Sequence, residues 1–241
     1  MRIDDETSYR ESTELEVMRQ NLPLAGARVL ELGCGTAWMT RQLAEQLRAG
    51  YIIATEVDQI QHQKNLLIDD LDNVEFVAGG AQAIDLPAES VDLVIMLKSL
   101  HHVPVDRMDE ALTEIHRVLK PGGLAYLSEP VYRGDFNDIM KLFHDEREVR
   151  QAAFRAVEKA VAGGGFQLVR QIFFDAPGHF RDFAQFEKQI LNVTHTEHRI
   201  DPELYRRVRE AFERRMTPQG ANFLKPMRAD LLRKREIEQT C

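Results

Sequence analysis

The stretch that decides the fold is a short apolar run ending in two closely spaced glycines, Arg28-Val29-Leu30-Glu31-Leu32-Gly33-Cys34-Gly35-Thr36. Apolar runs of this length that end in glycine are typical of strands buried on both faces of a parallel sheet. Immediately afterwards, apolar residues recur every four positions at Met39, Leu43 and Leu47, which is the spacing of one helix face. The stretch therefore predicts a buried strand, a tight turn and a helix.

The alternation of strand and helix continues along the chain. The patterns predict further strands at 51–55, 74–77, 91–97 and 124–128, with helices at 58–68 and 106–119. Repeated alternation of this kind is the signature of an α/β fold, an open and mostly parallel sheet with helices on both faces.

Helical patterns dominate the second half of the chain. We expect a helix over 136–160, a strand over 166–174, helices over 179–191 and 202–216, and a closing strand over 223–232. Pro226 suggests an irregular or edge position for that last strand. Near the amino end, Ser12 or Thr13 is expected to cap a short helix at the sheet edge. No repeat or linker is visible, so the whole chain, 1–241, is expected to be one domain.

Composition and charge exclude several classes of protein. Of the 241 residues, 44% are hydrophobic and 29% charged, a globular balance, and the net charge is −8. The 31 lysines and arginines are scattered, so DNA is not an expected partner. The two cysteines, Cys34 and Cys241, fit a reducing, cytoplasmic compartment. No signal peptide or bilayer-spanning run is visible, so no membrane role is expected.

The glycine turn is expected to bind a ligand, because ligands of such sheets lie beyond the carboxyl ends of the strands. A phosphate-binding loop would require Gly-Lys-Ser/Thr, which is missing here. A dinucleotide fingerprint would require a small residue at the position of Trp38. A third ligand, S-adenosylmethionine (SAM), needs bare backbone and a carboxylate for its ribose hydroxyls. Glu56 ends the second strand and is favoured for that role over Asp58.

Here the sequence resembles a known family. Glu31 to Ala37 is similar to motif I of the class I SAM-dependent methyltransferases, with Ala37 where a third glycine is usual. Three later segments resemble further family motifs in the same order: Gly79-Gly80-Ala81-Gln82 with Leu86-Pro87, Ser90-Val91-Asp92-Leu93-Val94, and Leu119-Lys120-Pro121-Gly122-Gly123.

The resemblance implies a Rossmann-like sheet of seven strands whose last strand is antiparallel, with SAM as the cofactor. A SAM-binding core at 28–130 would follow an amino-terminal helical segment, 1–27. Helical additions at 131–165 and 178–220 would form a lid over the acceptor. The residues expected to hold SAM are Glu31, Gly33, Cys34, Gly35, Thr36, Ala37, Glu56, Val57, Gly80, Ala81, Gln82, Leu97 and Lys98.

Two details of that cofactor site follow from the family pattern. The family often has aspartate where Gly80 stands, so main-chain groups near Ala81 and Gln82 would contact the adenine. Tyr9 and Arg10 would either fold over the cofactor carboxylate or lie in a disordered terminus.

Candidate catalytic residues follow two strand ends. His101 and His102 come just after the fourth strand, and an imidazole there could take a proton from an acceptor. The competing interpretation is that one histidine packs at the start of the next helix. Glu129, after the fifth strand, could bind an amine or act as a base. Lys98 could contact an acidic acceptor or be solvated.

The segment after the fifth strand is rich in groups that could hold a small polar acceptor. The candidates are Tyr132, Arg133, Asn137 and His144. The alternative is an ordinary loop in which Asp135 caps the next helix. His195 and His198 have a spacing that a helical metal site could use, but exposed histidines are the favoured interpretation and no metal is expected.

The sequence thus predicts methyl transfer from SAM to an oxygen, nitrogen or sulfur atom of a small molecule by in-line displacement, with proximity as the main catalytic effect. Two alternatives stay open, which are a protein or tRNA acceptor and a SAM-binding regulator without turnover. A monomer or a homodimer is expected.

Overall fold

A computed structural model describes residues 1–192 and 199–235, and these residues form a nine-stranded mixed sheet. The strands are β1 (Arg10–Glu11), β2 (Arg28–Leu32), β3 (Tyr51–Glu56), β4 (Val74–Ala78), β5 (Val91–Leu97), β6 (Leu119–Pro130), β7 (Phe166–Phe180), β8 (Met216–Thr217) and β9 (Gly220–Lys234). The helices are α1 (Glu14–Asn21), α2 (Trp38–Glu45), α3 (Gln59–Asn65), α4 (Met108–Val118), α5 (Asp135–Met140), α6 (Arg147–Ala162), α7 (Phe183–Phe186) and α8 (Pro202–Glu213). None of these helices combines the length and the apolar composition needed to cross a bilayer.

The strand order is β1-β7-β9-β6-β5-β2-β3-β4, with β8 paired to β9 alone. The seven strands predicted from the sequence are all present, and β9 runs antiparallel to both of its long neighbours, as expected. The two additional strands, β1 and β8, have two residues each. Strands β2, β3 and β4 progress toward one edge, whereas β5 and β6 progress toward the other. The carboxyl ends of β2 and β5 therefore form a topological switch point, where ligands bind in this architecture.

Helices cover both faces of the sheet because side chains of each strand alternate between them. On one face, α1 and α2 pack over Val29 and Ile52. On the other face, α4 and α6 pack over Leu30 and Ile53. The central strands are thus buried on both sides, which explains their continuous apolar runs.

A third apolar cluster lies beyond the end of the sheet and is rich in phenylalanine. It joins α5, α7 and α8 to the protruding ends of β7 and β9. Its aromatic members include Phe180, Phe186, Phe212 and Phe223, whose ring centroids lie 4.9–6.0 Å apart in the pairs that touch. The carboxyl-terminal helices therefore have a core of their own.

The single helix predicted over 136–160 is wrong, because two helices, α5 and α6, occupy the segment. Asp145 accepts a hydrogen bond from the Arg147 amide at 3.0 Å, and α6 begins there. Glu146 is buried between the helices and binds Arg150. A polar turn that faces inward therefore interrupts the helical pattern.

The helix predicted over 179–191 is also wrong in its first part. Strand β7 continues to Phe180, and regular α-helix covers only Phe183–Phe186, followed by a π-helical turn at Glu187–Leu191. Phe180, Phe183 and Phe186 have helical spacing, but Phe180 reaches the same aromatic cluster from a strand. The apolar period therefore could not distinguish the two structures.

An irregular or edge position is expected for Pro226, and although β9 as a whole lies between β6 and β7, Pro226 itself lies one residue beyond the last β6 pair, Pro130 with Met227. The Pro226 carbonyl accepts a hydrogen bond from the Val131 amide at 2.9 Å. In an antiparallel strand the backbone nitrogen and oxygen of one residue point toward the same neighbouring strand. The nitrogen of Pro226 therefore points toward β6, at a position beyond its last residue, Pro130. The sheet therefore loses no backbone hydrogen bond through the missing N–H of this proline.

The amino-terminal helix begins at the predicted cap, because the Thr13 side chain accepts from the Glu16 amide at 3.2 Å. Its expected place at the sheet edge is wrong. Glu14 accepts hydrogen bonds from Tyr126 and Ser128 of β6, a central strand. The helix therefore lies over the middle of the sheet.

Candidate active site

The turn after β2 has a left-handed backbone at three positions, with φ of +76° at Gly33, +55° at Gly35 and +60° at Ala37. The amides of Gly33 and Cys34 donate to the Thr55 carbonyl at 3.0 and 2.9 Å. A Cβ on Gly33 would lie 2.7 Å from the Ser99 hydroxyl. Glycine is therefore required at Gly33 both by backbone conformation and by the close approach of the β5 end.

Glu56 fastens this turn to the end of β3. Its Oε2 accepts from the Gly35 amide at 2.7 Å, and its Oε1 accepts from the amides of Val57 and Asp58 at 2.8 and 2.9 Å. A carboxylate has about four acceptor positions, so Oε2 can accept a further donor. Asp58, the rival candidate, accepts from the first amides of α3 and caps that helix.

A crevice of about 960 Å³ lies beyond the ends of β2, β3, β4 and β5. It is lined by every predicted SAM residue except Ala37, which is buried and forms the left-handed amino end of α2. The wall also contains residues that the sequence did not indicate, among them Glu14, Ser99, Gln189 and Asn192. Tyr9 and Arg10 are not part of the wall that the described residues form. Tyr9 packs on Phe173, and Arg10 lies in β1 at the outer edge.

The crevice fits the predicted cofactor on two observations. Its wall includes Gly33, Gly35 and Gly80, which have no side chain, and a Cβ on Gly80 would lie 2.8 Å from the Gln82 side-chain oxygen. Glu56 lies at one end of the crevice, and its carboxylate can accept hydrogen bonds from the two hydroxyl groups of a diol. Glu31 lies deeper, accepts from the Thr40 hydroxyl at 2.7 Å, and has its pKa raised by burial to about 7.

Glu14 brings a further carboxylate to the crevice. It accepts from the Tyr126 hydroxyl at 2.6 Å and from the Ser128 hydroxyl at 3.0 Å. Burial raises its pKa, against the effect of these hydrogen bonds and of nearby Lys98. A glutamate in the first turn of a helix usually interacts with the helix dipole alone, so its sequence position gave no sign of this contact.

A second cavity of about 300 Å³ adjoins the crevice and is called the acceptor pocket below. Lys98, His102 and Gln189 line both cavities. The structure brings together in its wall six of the predicted residues, which are Lys98, His101, His102, Arg133, Asn137 and His144. Glu129 lies behind His101, and Tyr132 lies outside the wall, with the Arg147 guanidinium 4.7 Å from its ring centre.

His101 is the centre of a buried charge network. Its Nδ1 binds Glu129, and its Nε2 lies 3.5 Å from Glu146. Burial disfavours the charged imidazole, but the two carboxylates outweigh this effect and raise the pKa of His101 to about 9. Burial would raise the pKa values of Glu129 and Glu146, but both are lowered, because His101 acts on each carboxylate together with the Leu100 amide at Glu129 and Arg150 at Glu146.

Further groups extend this network around the pocket. Glu146 accepts from Arg150 at 2.5 Å, and Arg150 donates to the Asn137 side chain at 2.9 Å. His144 lies 3.0 Å from Glu146.

His102 is exposed, and its ring centroid lies 4.2 Å from that of His101. Nitrogen and oxygen atoms of His101, His102 and Glu146 lie within 4.8 Å of one another, close enough to bind one metal ion. The expectation that no metal binds stays a prediction. His195 and His198 lie outside the described residues.

Comparisons with known proteins agree with this geometry. Residues 29–123 match a family model described as a methyltransferase domain. The chain is 36% identical over 104 residues to the ubiquinone/menaquinone biosynthesis C-methyltransferase UbiE of Hahella chejuensis, which covers 41% of each protein. It is 29% identical over 167 residues to the fatty-acid O-methyltransferase of Mycolicibacterium smegmatis, covering 66% of this chain and 59% of that protein. The matches therefore span about two fifths to three fifths of these relatives.

Solved structures show the same fold. The YcgJ protein of Bacillus subtilis superposes with a TM-score of 0.63 over 92% of this chain and 98% of that chain, at 18% identity. The likeness extends beyond residues 29–123 and concerns the fold alone.

Proposed function

We propose that this chain transfers the methyl group of SAM to an oxygen, nitrogen or sulfur atom of a small-molecule acceptor, and the match of residues 29–123 to a methyltransferase domain supports this. The junction of the two cavities carries the proposal. Lys98, His102 and Gln189 line both, so a molecule in the acceptor pocket would meet the crevice there. The pocket volume of about 300 Å³ favours a small acceptor.

SAM supplies, when bound, a methyl group already activated on a sulfonium for in-line displacement. The contribution of the chain is then proximity, orientation and exclusion of water. Glu56 would accept from the ribose hydroxyls, and the bare main chain at Gly33 and Gly35 would lie against the donor. Main-chain groups at Ala81 and Gln82 would bind the adenine.

A proton acceptor is required only when the methyl acceptor must lose a proton. We assign that role to His102, which is exposed and lines both cavities. His101 is less suited, because Glu129 and Glu146 engage both of its ring nitrogens. Its role here is to position His102 through the contact between the two rings.

The named relatives support a small acceptor with an apolar body. One methylates carbon in ubiquinone and menaquinone biosynthesis, and the other methylates oxygen of fatty acids. Phe136, Met140 and Met227 give the acceptor pocket apolar walls that suit such molecules.

Calorimetric titration with SAM and S-adenosylhomocysteine, followed by product analysis across phenols, thiols, amines and organic acids, tests the proposal. We expect both compounds to bind and at least one acceptor to be methylated. For an acceptor that must lose a proton, such as a phenol or a thiol, His102→Ala should lower kcat by about 10²-fold or more. Binding without any product across the panel would favour a SAM-binding regulator, and absence of binding would reject the proposal.

A further inference from the structure

Lys225 of β9 is a half-buried cation in the wall of the acceptor pocket. Its ammonium lies 4.5 Å from the ring centre of Phe136 and 5.5 Å from that of Phe180. Within residues 1–192 and 199–235 it has neither an ion pair nor a hydrogen bond. Burial lowers its pKa to about 8, and the neighbouring charge of Lys98 acts in the same direction.

Strand β7, which pairs with β9, has a glycine next to the Lys225 side chain. Gly178 of β7 pairs with Phe223 of β9, next to Lys225 in the ribbon. A Cβ on Gly178 would lie 2.5 Å from Cε and 2.8 Å from Nζ of Lys225. The missing side chain at Gly178 therefore leaves the space that the lysine occupies.

The two arginines of the pocket wall are paired with carboxylates. Arg133 lies 3.4 Å from Asp4, and Arg150 binds Glu146. Lys98 and Lys225 have no ion-pair partner among the described residues. The acceptor pocket thus holds more positive than negative charge, within walls that are mostly apolar.

On the basis of the function proposed above, we propose that the acceptor is a small organic acid whose carboxylate pairs with the Lys225 ammonium. An unpaired ammonium in an apolar pocket is unfavourable, and an incoming carboxylate would remove that cost through a charge-assisted hydrogen bond. The aromatic rings of Phe136 and Phe180 hold the ammonium in place before the acid arrives. Product analysis distinguishes whether the carboxylate itself is methylated or only anchors the acid.

Binding of matched acids and amides to the protein saturated with S-adenosylhomocysteine provides the test. The probes are octanoate with octanamide, and 4-hydroxyphenylacetate with its amide, and the variants are Lys225→Met and Lys141→Met. We expect at least one acid to bind about tenfold tighter than its amide, a preference that Lys225→Met removes. Lys141, a surface lysine paired with Asp138, is the control, and its replacement should leave the preference unchanged.

A second variant covers the case in which Lys225→Met disturbs folding. Gly178→Ala keeps the lysine but fills its space, and it should weaken acid binding while amide binding stays unchanged. Equal binding of acid and amide by the wild-type protein, or an acid preference that persists in both variants, overturns the inference.

Failure of this inference is distinguishable from failure of the proposed function. Methylation of neutral acceptors without any acid preference would reject the organic acid and leave methyl transfer standing. Acid binding that depends on Lys225, with no methylated product from any acceptor, would support the pocket assignment and reject methyl transfer.

Discussion

The cofactor crevice and the acceptor pocket share three wall residues but are built differently. The crevice lies at the carboxyl ends of four strands, and its wall includes three glycines of the turns there, Gly33, Gly35 and Gly80. The acceptor pocket is made of side chains from separate elements, among them His101, Asn137 and Lys225. The first site depends on local turns, whereas the second depends on how distant segments pack.

This difference leads us to expect separable effects of mutation. Changes in the glycine turn or at Glu56 should alter SAM affinity whatever the acceptor. Changes around His101 and Lys225 should alter stability or acceptor binding and leave SAM affinity nearly unchanged.

The largest effect is expected for His101→Ala. The substitution leaves the carboxylates of Glu129 and Glu146 buried without their shared cation, which costs about 3–5 kcal/mol of unfolding free energy. His102→Ala removes an exposed ring and should cost about 0.5 kcal/mol or less. Urea unfolding measures both, and similar losses in the two variants would contradict the central role of His101.

The network around His101 makes the free energy of unfolding depend on pH. The pKa of His101 is raised from 6.5 to about 9, so its contribution, roughly 3 kcal/mol, is complete below pH 6.5 and is lost as the pH rises through 9. Glu129 and Glu146 have lowered pKa values, so their contributions are lost as the pH falls below 4.5. Unfolding followed from pH 4 to 10 should show the alkaline loss in wild type and not in His101→Ala.

The glycine turn offers a matched pair. Both Gly33→Ala and Gly35→Ala place a side chain in the left-handed region, at a cost of roughly 1–2 kcal/mol each. Gly33→Ala adds the contact with Ser99, whereas a Cβ on Gly35 meets nothing within 4 Å. Thermal unfolding without ligand should therefore rank Gly33→Ala as the less stable variant. The reverse order would mean that the approach to β5 is not tight.

The last comparison separates the two acids after β3. Glu56→Ala should weaken SAM binding by about 1–3 kcal/mol, the scale of a lost charged hydrogen bond. Asp58→Ala should instead lower stability by about 1 kcal/mol through the lost helix cap, with SAM affinity nearly unchanged. Calorimetry on both variants decides the assignment, and an exchange of these two results would make Asp58 the ribose ligand.

Most of the fold and of the crevice could be predicted because their signals are local. Glycine turns follow apolar runs directly, and Thr13 and Glu56 stand at element boundaries that the sequence marks. Part of the acceptor pocket had such a signal, since His101 and His102 follow a strand end, but other parts of it did not. Glu146 interrupts a helical pattern by turning inward, and Phe180 has helical spacing while lying in a strand. Nothing in the sequence distinguishes Lys225 from an ordinary surface lysine. Its burial depends on the packing of β7 against β9.

The antiparallel pair of β7 and β9 extends from the sheet, at Phe166 opposite Lys234, to the aromatic cluster, at Phe180 opposite Ala221, with one shift of register between Leu168 and Arg170. Its inner half belongs to the scaffold that shapes the donor crevice, and its outer half carries Gly178 and Lys225. One two-stranded ribbon thus joins the two halves of the molecule, so that sequence changes at its far end would alter acceptor choice while the register of the sheet stays fixed.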